Sequence, residues 1–155
     1  MFNEIALGLL IARLLIGLGM AAHGAQKVFG WFGGYGPKGT GQFFESMLGY
    51  RPGVVFAVLA GLGEMGGGIL TALGFLGALG PALVVMVMLV AMFSAHFKNG
   101  FWMSNKGWEL NGTYIAGALA LAFSGFGVYS LDSVIGFTHL SGGPVAWVLI
   151  GLAIL

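Results

Sequence analysis

The chain has no cysteine, four prolines and, across 155 residues, six basic and five acidic side chains. Without cysteine it cannot build a disulfide framework, an iron-sulfur cluster, a CxxC redox pair or a thiol nucleophile. Any electrons it handles must be carried by another molecule. Charged residues make up 7% of the chain, against about 25% in a soluble domain, which excludes a soluble monomer. A net charge of +1 offers nothing for nucleic acid to bind. No positive n-region precedes the first apolar run, so that run is expected to remain as a membrane helix rather than serve as a signal peptide. What the chain has in abundance is apolar surface and glycine: 58% hydrophobic residues and 30 glycines, with a mean hydropathy of +0.96. The glycines follow no three-residue period, which excludes a collagen-like repeat.

These features predict an all-α polytopic membrane protein in a lipid bilayer. A spanning helix needs about 20 apolar residues to cross about 30 Å of hydrocarbon. Four segments approach that length, at 5–28, 53–75, 81–97 and 110–126. Pro81 is placed as the first-turn proline of the third helix, where a missing N–H costs nothing. The expected architecture is a four-transmembrane-helix bundle over residues 1–132, followed by an apolar tail over 133–155. Pro144 to Leu155 is too short to cross, and is expected as an interfacial or partner-packed helix or as a half-span completed by a neighbour. Lys27, Lys38, Arg51, Lys98 and Lys106 fall on one side of these spans. The positive-inside rule puts that side in the cytoplasm and both termini outside. Small residues such as Gly63 and Gly67, four apart, are expected to let helices approach closely.

An ionisable group inside the bilayer costs at least about 2.5–3.5 kcal/mol and so asks for a partner. Arg13 lies about 12 Å into the first helix, and Glu64 about 16 Å from the end of the second. Because those helices are antiparallel, the two are expected to pair at matched depth or to share a polar ligand. A structural ion pair fixing helix register is the equal alternative. A second cluster gathers at the cytoplasmic end. His23 and Lys27 stand one turn apart on one face of the first helix, His96, Lys98 and Asn99 end the third, and Trp108 and Glu109 begin the fourth. Both loops at this end are aromatic, with Phe29, Trp31, Phe32, Tyr35, Phe43 and Phe44 in one and Phe101, Trp102 and Trp108 in the other. Three histidines without an HxxxH or HExxH pair give no metal site, and neither haem nor nucleotide binding is expected. Imidazoles beside Lys27 and Glu109 suit hydrogen bonding and proton transfer near neutral pH, which a quinone headgroup uses.

Arg13-Leu14-Leu15, His23-Gly24-Ala25-Gln26-Lys27 running into Phe29-Gly30-Trp31-Phe32-Gly33-Gly34, Gly63-Glu64 before Gly66-Gly67-Gly68, His96-Phe97-Lys98-Asn99-Gly100-Phe101-Trp102, Gly107-Trp108-Glu109 and Tyr129-Ser130-Leu131-Asp132 together resemble the DoxX family over about residues 9–132. The resemblance implies a four-helix protein of the cytoplasmic (inner) membrane. Some relatives are small subunits of thiosulfate:quinone oxidoreductase. By position the family's recurring polar residues fall on Arg13, His23, Lys27, Glu64, His96, Asn99 and Glu109. The functional expectation is an integral membrane subunit of a redox system. It would bind a quinone through His23, Lys27, Glu64, His96, Asn99, Trp108 and Glu109, and work with a partner oxidoreductase or as a homo-oligomer. No self-sufficient catalytic site is visible. The alternatives are a non-catalytic membrane anchor and, behind it, a small-molecule or proton transporter.

Overall fold

A computed structural model describes residues 3–137, 139–140 and 143–155. Every regular element among them is helical. Helix α1 (Glu4–Val28) starts on an Asn3 side chain that accepts from the Ala6 N–H, the usual relief for an orphan first-turn donor. A short α2 (Gly36–Phe43) widens into a π-helical turn at Phe44–Leu48. Next come α3 (Gly53–Leu73) and α4 (Leu79–Ala91), the latter extended by a π-helical turn at Met92–His96 and a 3₁₀ turn at Phe97–Asn99. Pro81 thus sits in the first turn of α4, where no intrahelical N–H bond is lost. Helices α5 (Glu109–Ser124), α6 (Leu131–Ile135) and α7 (Gly143–Ile154) complete the chain.

Among the described residues three helices, Glu4–Val28, Gly53–Leu73 and Leu79–Asn99, are long and apolar enough to cross a membrane. The expected fourth span is shorter, because α5 has 16 residues, or about 24 Å. Large apolar side chains such as Ile5, Leu15 and Leu18 are exposed. That arrangement suits a lipid solvent, and the chain is a multi-pass membrane protein.

Without a hydrophobic force between helices in lipid, close backbone approach holds them together. Helices α1 and α3 meet this way twice. Gly17 lies on Gly68 and Ala72, and Gly24 on Gly61 and Met65, so closely that a methyl group at Gly24 would stand 2.5 Å from the Gly61 carbonyl. The opposite face of α3 uses Gly63 against Val87 and Gly67 against Gly80 and Leu83 of α4. The tail helix α7 packs on α4 and α5 of its own chain. Its Ala146 and Ile150 are buried in a core with Ala78, Ala82 and Val85, while Trp147, Val148 and Leu152 stay exposed.

The two ends of the bundle are tied differently. At the end nearer the N-terminus, the buried Asp132 carboxylate accepts from the Leu76 and Gly77 N–H groups at 3.0 and 2.7 Å, capping the α3–α4 turn. At the opposite end Glu45 accepts from the Gly53 N–H at 2.6 Å, placing a carboxylate on the positive end of the α3 dipole.

Candidate ligand-binding cleft

The register of α1 on α3 decides where the ionisable groups go. With Gly17 against Ala72 and Gly24 against Gly61, Arg13 stands beside Gly74, the cap of α3, whereas Glu64 lies near the level of His23. Ten residues of α1 separate those levels, about 15 Å. The expected Arg13–Glu64 pair is therefore not formed. Arg13 instead donates to the Leu73 carbonyl at 2.7 Å and to the Tyr129 carbonyl. Glu64 receives Lys27 Nζ at 2.7 Å. Two physical causes act together. α1 projects beyond the end of α3, with its first turns covered by the Gly127 segment lying on Ala6 and Leu9. In addition, side chains on a helix lean toward its N-terminus, which carries Arg13 away from Glu64 and carries Lys27 back onto it.

The Lys27–Glu64 pair lines a cleft of about 980 Å³, at the bundle end away from the N-terminus. Its polar lining includes His23, Gln26 and Lys27 on α1, Glu64 on α3, Ser94 and His96 beyond α4, and Asn111 and Tyr114 on α5, with Tyr35, Thr40, Tyr50 and Lys106 added by α2 and the loops. The wall is apolar and aromatic, with Phe43, Phe44, Phe56, Leu59, Met86, Met88 and Leu110 among its members. Glu64 and Asn111 are buried, and the Lys27 side chain keeps 23% of its surface. Leu59 and Val90, which line the cleft, are both exposed, so the cleft is open rather than sealed.

Each polar group is oriented by its neighbours. Gln26 Nε2 donates to the Phe32 carbonyl at 3.2 Å, and Gln26 Oε1 lies 3.1 Å from His23 Nδ1. The His23 ring meets Tyr114 edge to face at 5.9 Å between centroids. His96 Nδ1 is 2.8 Å from the Lys106 carbonyl. Asn111 donates to Met88 Sδ at 3.6 Å. A short bond of 2.6 Å between Tyr50 Oη and Ser94 Oγ joins the start of α3 to the π-helical turn after α4.

The DoxX family model matches residues 8–97, more than half of the chain. The chain belongs to the DoxX family. No curated protein and no solved structure matched it. Four cleft residues of this DoxX protein, His23, Lys27, Glu64 and His96, lie inside the matched segment. Asn111 and Tyr114 lie beyond it.

Of the residues expected at a binding site, the DoxX fold brings His23, Lys27, Glu64 and His96 onto one cleft and leaves three outside its lining. Asn99 donates to the Ala95 and Lys106 carbonyls. Glu109 accepts from the Met103 N–H at 2.9 Å, holding the loop before α5. Trp108 packs edge to face on Phe101 at 4.8 Å. All three shape the loop that presents the Lys106 carbonyl to His96. Asn111 and Tyr114 were not singled out from sequence. Their spacing of three on α5, which aligns them on one face, is the only signal that pointed to them.

Proposed function

We propose that this DoxX protein is the membrane subunit of a redox system and binds a quinone-type ring in the cleft, with electrons supplied by a partner protein. One observation carries the reading: an open cleft of about 980 Å³ brings an ion pair, two imidazoles and several hydroxyl and amide groups together with an apolar, aromatic wall. Binding pockets of this kind use a few convergent polar groups to orient an otherwise apolar ligand. A flat ring with two oxygens and a lipid-soluble tail matches both halves. The family's link to quinone-dependent oxidoreductases supports the same class. The excess of basic residues around the cleft end favours an orientation with that end in the cytoplasm and both termini outside, with α5 as a short fourth span. Partner contact in this reading falls to the aromatic loops at the same end.

The anchor reading has its own support, since Lys27 and Glu64 satisfy each other within the chain. Filling the cleft distinguishes the two. Ala60 lines it and is only partly exposed. Calorimetric titration of the detergent-solubilised protein with decyl-quinone is expected to show one saturable site, weakened at least tenfold by Ala60→Phe while the thermal midpoint stays near wild type. Equal binding by the filled variant, or none by the wild type, would favour the anchor.

A further inference from the structure

The lining of the cleft also shows where it opens, which, resting on the reading above, narrows the kind of ligand it takes. On α3 the exposed side chains of Val55, Leu59, Leu62, Ile69 and Leu73 recur at steps of three, four or seven and so form one stripe. On α4 and the turns that extend it, Met86, Val90, Phe93 and Phe97 do the same. Lipid tails are as apolar as leucine, so in a multi-pass membrane protein these stripes meet lipid. Most of their members stand clear of the cleft and owe it none of their exposure. Leu59, Met86 and Val90 belong to the stripes and line the cleft as well.

The two helices are antiparallel and meet with Gly67 on Leu83 and Gly63 on Val87. One turn further toward the cleft end, that register sets Leu59 beside Val90 and Ala91. Here the cleft passes between the helices: its lining runs from the buried Glu64 and Met88, past the small Ala60 and Ala91, to Leu59 and Val90 on the lipid-facing stripes. The Tyr50–Ser94 bond at 2.6 Å joins the helices again beyond the gap. From Gly63 to Phe56, which the register sets across from Ser94, is about 10 Å of helix. We infer that this gap is a side window, through which the ligand's aliphatic tail stays in the bilayer while its ring lies in the cleft. The ligand is then a membrane-borne molecule with a long apolar tail, not a small solute arriving from water. A tail left in lipid never has to be enclosed by protein or exposed to water, and the chain needs to build a site for the ring alone.

The test tracks the tail. The full chain in lipid nanodiscs is illuminated with a decyl-quinone that carries a diazirine midway along its tail, with and without excess unlabelled decyl-quinone, and the labelled peptides are read by mass spectrometry. Labelling that the competitor removes is expected on Leu59, Met86 and Val90. Competed labelling on α1, α5 or the loops instead overturns the window. A second measurement uses bulk. Leu59→Trp with Val90→Trp is expected to weaken decyl-quinone binding at least tenfold, whereas Leu62→Trp, on the same stripe but clear of the cleft, leaves it unchanged. Leu59→Trp alone carries this comparison if the double variant does not fold. Equal affinity in the window and control variants likewise overturns the window. Failure of the wild-type chain to bind decyl-quinone removes the quinone-type reading itself, a different outcome from binding with the tail elsewhere.

Discussion

Leucine at position 64 is expected to lower the thermal midpoint of the solubilised protein sharply, because it strands Lys27 beside an apolar cleft. Breaking a buried ion pair from one side costs about 3–5 kcal/mol, whereas replacing both members by apolar groups is often neutral. The Glu64 side chain is 4% exposed and that of Lys27 23%, so part of the stranded ammonium can still reach water, and the lower end of that range applies. The companion double variant, Lys27→Met with Glu64→Leu, should recover most of the lost stability. Ligand affinity is expected to separate from stability in this pair. The double variant should remain at least tenfold weaker in binding the quinone-type ring, having lost both the carboxylate and the ammonium. Thermal unfolding and calorimetric titration on the same samples give the two readouts. Full recovery of affinity in the double variant would assign the pair to helix packing alone.

A second large effect is expected from Gly24→Leu. At that position α1 and α3 touch backbone to backbone, with the Gly61 carbonyl and the Met65 N–H each 2.5 Å from where a methyl group would begin. Neither neighbour is a flexible side-chain end, so the helices must part. Overpacking commonly costs about 1–3 kcal/mol, and separating a glycine-mediated seam forfeits the contacts on either side as well. Little folded protein should survive extraction, judged by size-exclusion profile. Gly8→Leu is the matched control, since nothing lies within 4 Å of its Cβ position and the added side chain meets lipid. A profile for Gly24→Leu like that of Gly8→Leu would contradict the α1–α3 seam.

How much of this could be read from the residues differs between the spans and the site. Apolar length located α1, α3 and α4 to within a few residues, because the bilayer imposes one length on any helix that crosses it. The cost of burying charge singled out Glu64, and the cluster of His23, Lys27 and His96 at one end of the spans supplied more of the cleft's polar lining. The same argument mispaired Arg13. Depth counted from each helix end presumes that the ends are flush, and the stagger that sets Arg13 beside Gly74 depends on which glycines of α1 and α3 meet. Nothing local to Arg13 reports that register.

Asn99, Trp108 and Glu109 illustrate a second limit. In sequence, a polar or aromatic residue that caps a turn looks the same as one that faces a ligand. Only the partner atoms separate them, as the Met103 N–H does for Glu109. Asn111 and Tyr114 show the converse, since uncharged polar residues in a helix cost little, and only the fold brings them onto the cleft that His23 lines. The tail was equally unreadable, because an apolar helix of 12 residues carries no mark of which neighbour it packs on. Ala146 and Ile150 found theirs in α4.

The central claim is that the cleft beneath His23 and His96 is where the ligand sits. A density map of the protein in lipid nanodiscs, loaded with a bromine-labelled short-chain quinone, addresses it directly. The account predicts one labelled ring within the cleft, its oxygens in hydrogen-bond reach of the Lys27 ammonium or the Tyr114 hydroxyl and its tail leaving past Leu59 and Val90. Bromine density confined to the lipid-facing surface of the helices, with the cleft filled only by solvent or acyl chains, would contradict it.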